Sequence, residues 1–368
     1  MWHATPADIG WLTSAVQAGF IAGTLAISLT GLADRFPASR IFVAGAIAGA
    51  LGNAGFALLA HGIGAGMVWR FLVGLSLAGI YPVGMKLIVG WAPERTGAAL
   101  AVLVGMLTLG TALPQGLRAL GAGLLAWQGV ILASSVLAVL AAAMIFVLGD
   151  GPMFRHRARV RAGTPRLGVL AAFGAPAFRA AMWGYFGHMW ELYAFWTVVP
   201  LLIARTSLGV ASGLGVPALA FAAIGAGALG CLAGGRLSRA LGNARVALGA
   251  LAISGLCGVV FALGWQVLPG AWLLALVLIW GAAVVADSPQ FSALAARACP
   301  PELVGSALAI MNAIGFAITV VSIPLVSFAL DHFGVGAVLL LAPGPACGLA
   351  GFALAARRAV PGQGLSAR

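Results

Sequence analysis

The spacing of its charges constrains this chain most. They fall in a few short clusters, and between the clusters run apolar stretches of about twenty residues, the length a helix needs to cross roughly 30 Å of hydrocarbon at 1.5 Å per residue. Of 368 residues, 62% are hydrophobic and 8% charged, whereas a soluble domain carries about a quarter charged residues. The expected class is an all-α membrane protein that crosses the bilayer many times. A transmembrane barrel needs alternating segments of about ten residues, and these Gly- and Ala-rich runs do not alternate.

Eleven membrane helices are predicted, at about 9–33, 41–60, 64–91, 97–117, 127–148, 178–203, 213–233, 245–264, 271–296, 304–330 and 335–356. MFRHRARVRAGTPR, residues 153–166, is a basic stretch with Gly and Pro and marks a boundary. It divides the chain into an N-terminal bundle (1–148), a linker (149–177), a C-terminal six-helix bundle (178–356) and a tail (357–368). Sixteen arginines, from Arg35 and Arg40 to Arg357, Arg358 and Arg368, fall in the loops and tail of one side, against Arg118 and Arg205 on the other. That bias puts the linker and the C-terminus in the cytoplasm of a bacterial-type cell. It also accounts for the net charge of +12 without nucleic acid, since no basic stripe with interleaved aromatics appears. Cys231, Cys257, Cys299 and Cys347 are far apart, with no CxxC pair and no histidine at ligand spacing. Neither a metal site nor a disulfide framework nor a cofactor motif is indicated.

The chain repeats itself. APERTGAALA at 92–101 matches PPELVGSALA at 300–309, and LADRFPASRI at 32–41 aligns with LSRALGNARV at 237–246, offsets of 208 and 205. Two matches at nearly one offset argue for duplicated halves. Moved back by that offset, the helix at 178–203 falls before Met1. The expectation is a first half lacking one helix, with its start truncated or misassigned; the alternative is a true eleven-helix protein.

Two such halves joined by a basic linker resemble the major facilitator superfamily of secondary transporters. LADRFPASR is similar to that family's cytoplasmic loop signature, with Asp34, Arg35 and Arg40 matching while Thr30, Pro37, Ala38 and Ser39 depart. GGRLSRALGNAR keeps Gly234, Gly235, Leu237, Gly242 and Arg245 of the second copy, with Arg239 replacing the acid. WRFLVGLSLAG, with Arg70 and Gly74, is similar to the family's arginine motif, and GMLTLGTALP is a looser relative of its Gly/Pro motif. The resemblance implies twelve helices in the intact fold and alternating access around a central site near the midplane.

An ionisable group near the bilayer centre costs at least ~2.5–3.5 kcal/mol, so each one requires a reason. Glu191 lies halfway along its predicted helix, where Gly184, Gly187, His188 and Phe195 share its face. We expect that face, opened by two glycines, to line a cavity, with Glu191 loading and releasing a proton and His188 as its relay. Asp287 is near the centre of another helix, with Trp280 and Phe291 on its face, Gln290 beside it and Pro289 loosening the backbone. It is a second proton-coupling or substrate-binding candidate. Arg70 shares a face with Tyr81, and its five donors suit a substrate carboxylate. Tyr81, Gln290 and, among the aromatics of 183–196, Trp190 and Tyr193 are further substrate-contact candidates. Lys86 is 16 residues beyond Arg70 and five before Trp91, which points to the cytoplasmic interface, where it can pair with Asp34 unless Pro82 kinks the helix strongly. With Asp34, Arg35 and Arg40 it forms a candidate cytoplasmic gating motif.

The expected function, which the resemblance implies, is that of a secondary transporter of a small solute, with a monomer and coupling to protons as further expectations. A non-transporting receptor or inactive remnant is the alternative. An enzyme would need a nucleophile, base and orienter set that is absent from the sequence. The solute stays open between a small organic anion, from Arg70, and a hydrophobic cation, from Glu191 and Asp287.

Overall fold

The computed structural model describes residues 2, 4–30, 32–92, 96–121, 126–152, 172–299 and 304–358; the side chains of a few residues within these ranges, Asp34 among them, lie outside the description. Most of the basic linker and the tail also lie outside it. The described residues form helices and no strands. The first crossing is α1 (Pro6–Thr30), followed by the single turn α2 (Leu32–Arg35) and by α3 (Ala38–Leu59). A broken crossing, α4 (Ile63–Leu77) and α5 (Tyr81–Trp91), leads to α6 (Thr96–Leu120) and α7 (Trp127–Leu148). Beyond the linker come α8 (Pro176–Ala204), the short α9 (Leu208–Ser212), α10 (Val216–Leu241) and α11 (Asn243–Gly264). A second broken crossing, α12 (Gly270–Ala286) and α13 (Ser288–Arg297), precedes α14 (Val304–Phe333). A 3₁₀ segment, Val335–Leu341, then runs into α15 (Pro343–Ala356).

Among the described residues nine stretches are long and apolar enough to span a membrane. Two more, α6 with 25 residues and α8 with 29, have the length; in α8, Arg179, His188 and Glu191 lower the hydropathy. Together these stretches of the described residues overlap the apolar runs predicted as helices.

The duplication is visible in the helix boundaries. The ends of α3 and α11 differ by 205 residues, α4 and α12 begin 207 apart, and α7 matches Val335–Ala356 at 208. Both broken crossings break at a proline, Pro82 and Pro289, which occupy the same place in the two repeats. A proline has no N–H to donate and its ring clashes with the carbonyl four residues earlier, so the helix restarts there with proline in its first turn. By this register α1 corresponds to α10 and α6 to α14. Only α8 among the long helices has no counterpart among the described residues of the first half.

Two long seams join the halves, α1 on α14 and α6 on α10. Under the repeat they are the same contact made twice, as a pseudo-two-fold axis requires. Small residues set their closeness: Gly10 lies against Ser327 and Pro324, and Gly105 against Ala228. Inside the second half α8 packs on α13, α14 and α15. A Cβ on Gly187 would sit 2.5 Å from the carbonyl oxygen of Gly344 and 2.8 Å from Cα of Gly348, so α8 and α15 touch backbone to backbone. At the end of α8, Arg205 donates to the carbonyl of Leu330 (2.5 Å) and lies 3.4 Å from Asp331, tying α8 to α14.

Candidate functional site

A chamber of about 120 Å³ lies between the two sets of helices. From the first half, α5 supplies Tyr81 and Met85, and α6 supplies Val104, Leu107 and Thr108. From the second, Val285, Ser288 and Ser292 come from the broken crossing and Leu308, Asn312 and Phe316 from α14. The repeat register shows why these positions meet. Ser288 and Ser292 follow Tyr81 and Met85 by 207 residues, and Asn312 and Phe316 follow Val104 and Thr108 by 208. One set of wall positions is used twice with different chemistry. The remaining wall is α8, through Tyr185, His188, Met189, Leu192, Tyr193 and Trp196, a stripe at the helical period.

At this wall the chain keeps a buried polar pair. His188 Nδ1 lies 2.7 Å from Asp287 Oδ1, with the two side chains 1% and 0% exposed. Asp287 occupies the junction between α12 and α13, so the helix break made by Pro289 sets it opposite α8. The contact is close but not aligned as a hydrogen bond: both His188 ring nitrogens, both Asp287 carboxyl oxygens and the indole N–H of Trp196 lack a hydrogen-bond partner among the described residues. His188 and Trp196 line the chamber, whose described lining contains no Asp, Glu, Arg or Lys. Aromatic rings surround it: Tyr193 is T-packed on Trp196 (5.1 Å between centroids) and 5.4 Å from Phe316. Phe316 in turn meets Phe20 of α1 at 4.4 Å, joining the two halves beside the chamber.

Several expectations need correction. Glu191 does not face the chamber; it is hydrogen-bonded to Trp280 of α12 and Ser254 of α11 inside the second bundle. Gly184 and Gly187 do not open a cavity either. The ring of Phe291 fills the space beside Gly184, and the α15 backbone fills that beside Gly187. Trp190 turns to the opposite side of α8, where its indole donates to the carbonyl of Leu340 (2.8 Å). Gln290 is buried away from the chamber. Arg70 is also outside the chamber lining: its guanidinium lies 3.5 Å from Asn53 Oδ1 and over the ring of Phe56. Tyr81 and Tyr193 do line the chamber.

Three of the four candidate gating residues have described side chains. Arg35 and Arg40 are exposed and Lys86 is half-buried, while the side chain of Asp34 lies outside the described residues. The structure adds Asp150, at the end of α7, which accepts a hydrogen bond from the backbone N–H of Ser39 (2.7 Å). The N-cap position of α3 is Pro37, whose side chain makes no capping bond, and Asp150 supplies that acceptor from 111 residues away. Trp91 ties the end of α5 to the same corner by donating to the carbonyl of Gly149 (3.2 Å).

The sequence profile of the Major Facilitator Superfamily matches residues 2–324, and the chain belongs to that family. Over 154 residues it is 24% identical to the putative niacin/nicotinamide transporter NiaP of Bacillus subtilis, and over 104 residues 35% identical to the niacin transporter NiaP of Acinetobacter baylyi. These matches take in 42% and 28% of this chain and 38% and 23% of the relatives' own lengths. In three dimensions the chain resembles a bacterial homologue of the human lysosomal transporter Spinster, crystallised inward-facing and unoccupied, with a TM-score of 0.63 over 97% of this chain and 88% of that one. At 16% identity that likeness is one of fold. A transporter family also leaves the enzyme alternative without support.

Proposed function

We propose that this protein is a secondary transporter of a bacterial-type inner membrane, monomeric, with linker and C-terminus cytoplasmic, moving a small solute by alternating access. The observation that carries the reading is a buried His188–Asp287 pair whose histidine lines a chamber shared by two repeated halves, with the carboxyl behind it. In this reading His188 takes up a proton from the chamber and releases it in the opposite access state, so the proton gradient drives the solute. Asp287 holds the imidazole in place and stabilises its charged form.

For the solute we propose a small planar heteroaromatic acid or amide of the niacin kind. The printed names of the two relatives motivate it, and the chamber offers rings for stacking together with the unpartnered indole N–H of Trp196 and His188 Nε2, which becomes a donor when the ring is protonated. A carboxylate or amide oxygen accepts from such donors. Protonated His188 would face an anionic solute with a cation, which links proton loading to solute loading.

The test is uptake of niacin and nicotinamide by proteoliposomes under an imposed pH gradient. Accumulation should collapse on addition of a protonophore and be lost in His188→Gln. Uptake that ignores the gradient and survives this substitution would refute the coupling, and failure of both solutes with retained gradient-driven uptake of another would refute the solute class alone.

A further inference from the structure

Glu191 is the second carboxyl group held deep in the bundle, and the chamber does not use it. Its side chain is 1% exposed, and it meets two groups from two other helices. Trp280 Nε1 of α12 donates to Oε1 at 2.7 Å, and Ser254 Oγ of α11 lies 2.8 Å from Oε2. Ser254 also reaches the carbonyl of Leu251 at 3.1 Å. A hydroxyl has one hydrogen, so it cannot serve both oxygens. If Ser254 donates to Leu251, the hydrogen between Ser254 and Glu191 belongs to Glu191. One arrangement then uses every hydrogen and every acceptor: Trp280 N–H to Glu191 C=O, Glu191 O–H to Ser254 Oγ, Ser254 O–H to Leu251 C=O.

The surroundings favour that arrangement. Among the described residues no Arg or Lys pairs with Glu191; the salt bridges there are His188 with Asp287 and Arg205 with Asp331. The titratable groups that face it are Asp287, at the end of α12, and Cys257 on α11, with His188 one turn earlier on its own helix. Trp280 is itself fixed, fully buried against the rings of Phe195 and Phe261.

We infer that Glu191 is a neutral clasp that holds α8 to α11 and α12, and that it stands outside the proton path. The clasp sets the rotation of α8 and so presents His188 to the chamber. Glu191 is therefore a positioning residue. Its structural role stands without the transport reading, whereas its exclusion from proton traffic rests on that reading.

Glutamine reproduces the neutral pattern atom for atom: its carbonyl accepts from Trp280 and its amide donates to Ser254. Infrared spectra of the full chain should show a protonated-carboxyl C=O stretch that is constant from about pH 6 to about pH 9 and missing in Glu191→Gln. The variant should melt with the parent protein and keep the pH profile of uptake, while Trp280→Phe, which removes one donor, should lower the melting temperature and shift the same band. Absence of the band from the parent, its titration within that range, or a displaced uptake profile in Glu191→Gln would overturn the assignment. The infrared arm reads the clasp even if neither niacin nor nicotinamide is transported, so the two readings fail separately.

Discussion

Inside a membrane, an imidazole 2.7 Å from a carboxylate is stable only while both members are present. Removing one partner of a buried pair costs about 3–5 kcal/mol, because the other is left without its counter-charge. Asp287→Ala should therefore lower the thermal midpoint in detergent by far more than Asp287→Asn, which keeps a hydrogen-bonding group against His188. Both should lose proton-driven uptake, so comparing midpoints with flux separates folding from coupling. That these positions matter was legible in the sequence, since a charge inside an apolar run stands out. The direction of each side chain was not. His188 and Glu191 are three residues apart, about 60° around a helix, and a small error in helix rotation moves either across the edge of the chamber. What fixed the rotation was Ser254 and Trp280, partners 63 and 89 residues away.

At the scale of the element, α8 is placed by glycine. Because Gly187 abuts the α15 backbone, Gly187→Ala has no flexible neighbour to displace and should cost about 1–3 kcal/mol, the usual range for overfilling a packed site, read as a lower melting temperature. Helical periodicity put Gly184 and Gly187 on one face but could not say whether an absent side chain makes room for a solute or for another helix; here it is the helix. The cap on α3 makes a second test. Asp150→Ala should cost about 0.5–2 kcal/mol, as loss of a capping acceptor does, and Asp150→Asn should restore most of it. Asp150 carried no local signal, because the N–H that it binds belongs to another helix far away in the chain. The breaks at Pro82 and Pro289, by contrast, have a purely local cause, and Pro289 was legible as the weak point beside Asp287.

Across the whole molecule, the halves are joined by seams that must alternate if access alternates. Gly10 and Ser327 approach closely on the α1–α14 seam. In a background with exposed Cys347 replaced by serine, Gly10→Cys with Ser327→Cys should form a disulfide that arrests uptake, and reductant should restore it; undiminished uptake by the oxidised pair would mean that this seam stays closed throughout the cycle. The architecture was largely legible, because apolar length and repeat offset both survive any local misreading of helix ends. The chamber was not, since its wall is assembled from residues such as Ser288, Ser292 and Asn312 that look unremarkable alone. The duplicated wall has a further consequence. Tyr81, Met85 and Val104 present bulk on one side, and their repeat counterparts Ser288, Ser292 and Asn312 present small hydrogen-bonding groups on the other. At the fourth pair the order is reversed, Thr108 facing Phe316, so the chamber is chemically asymmetric although the scaffold that builds it is repeated.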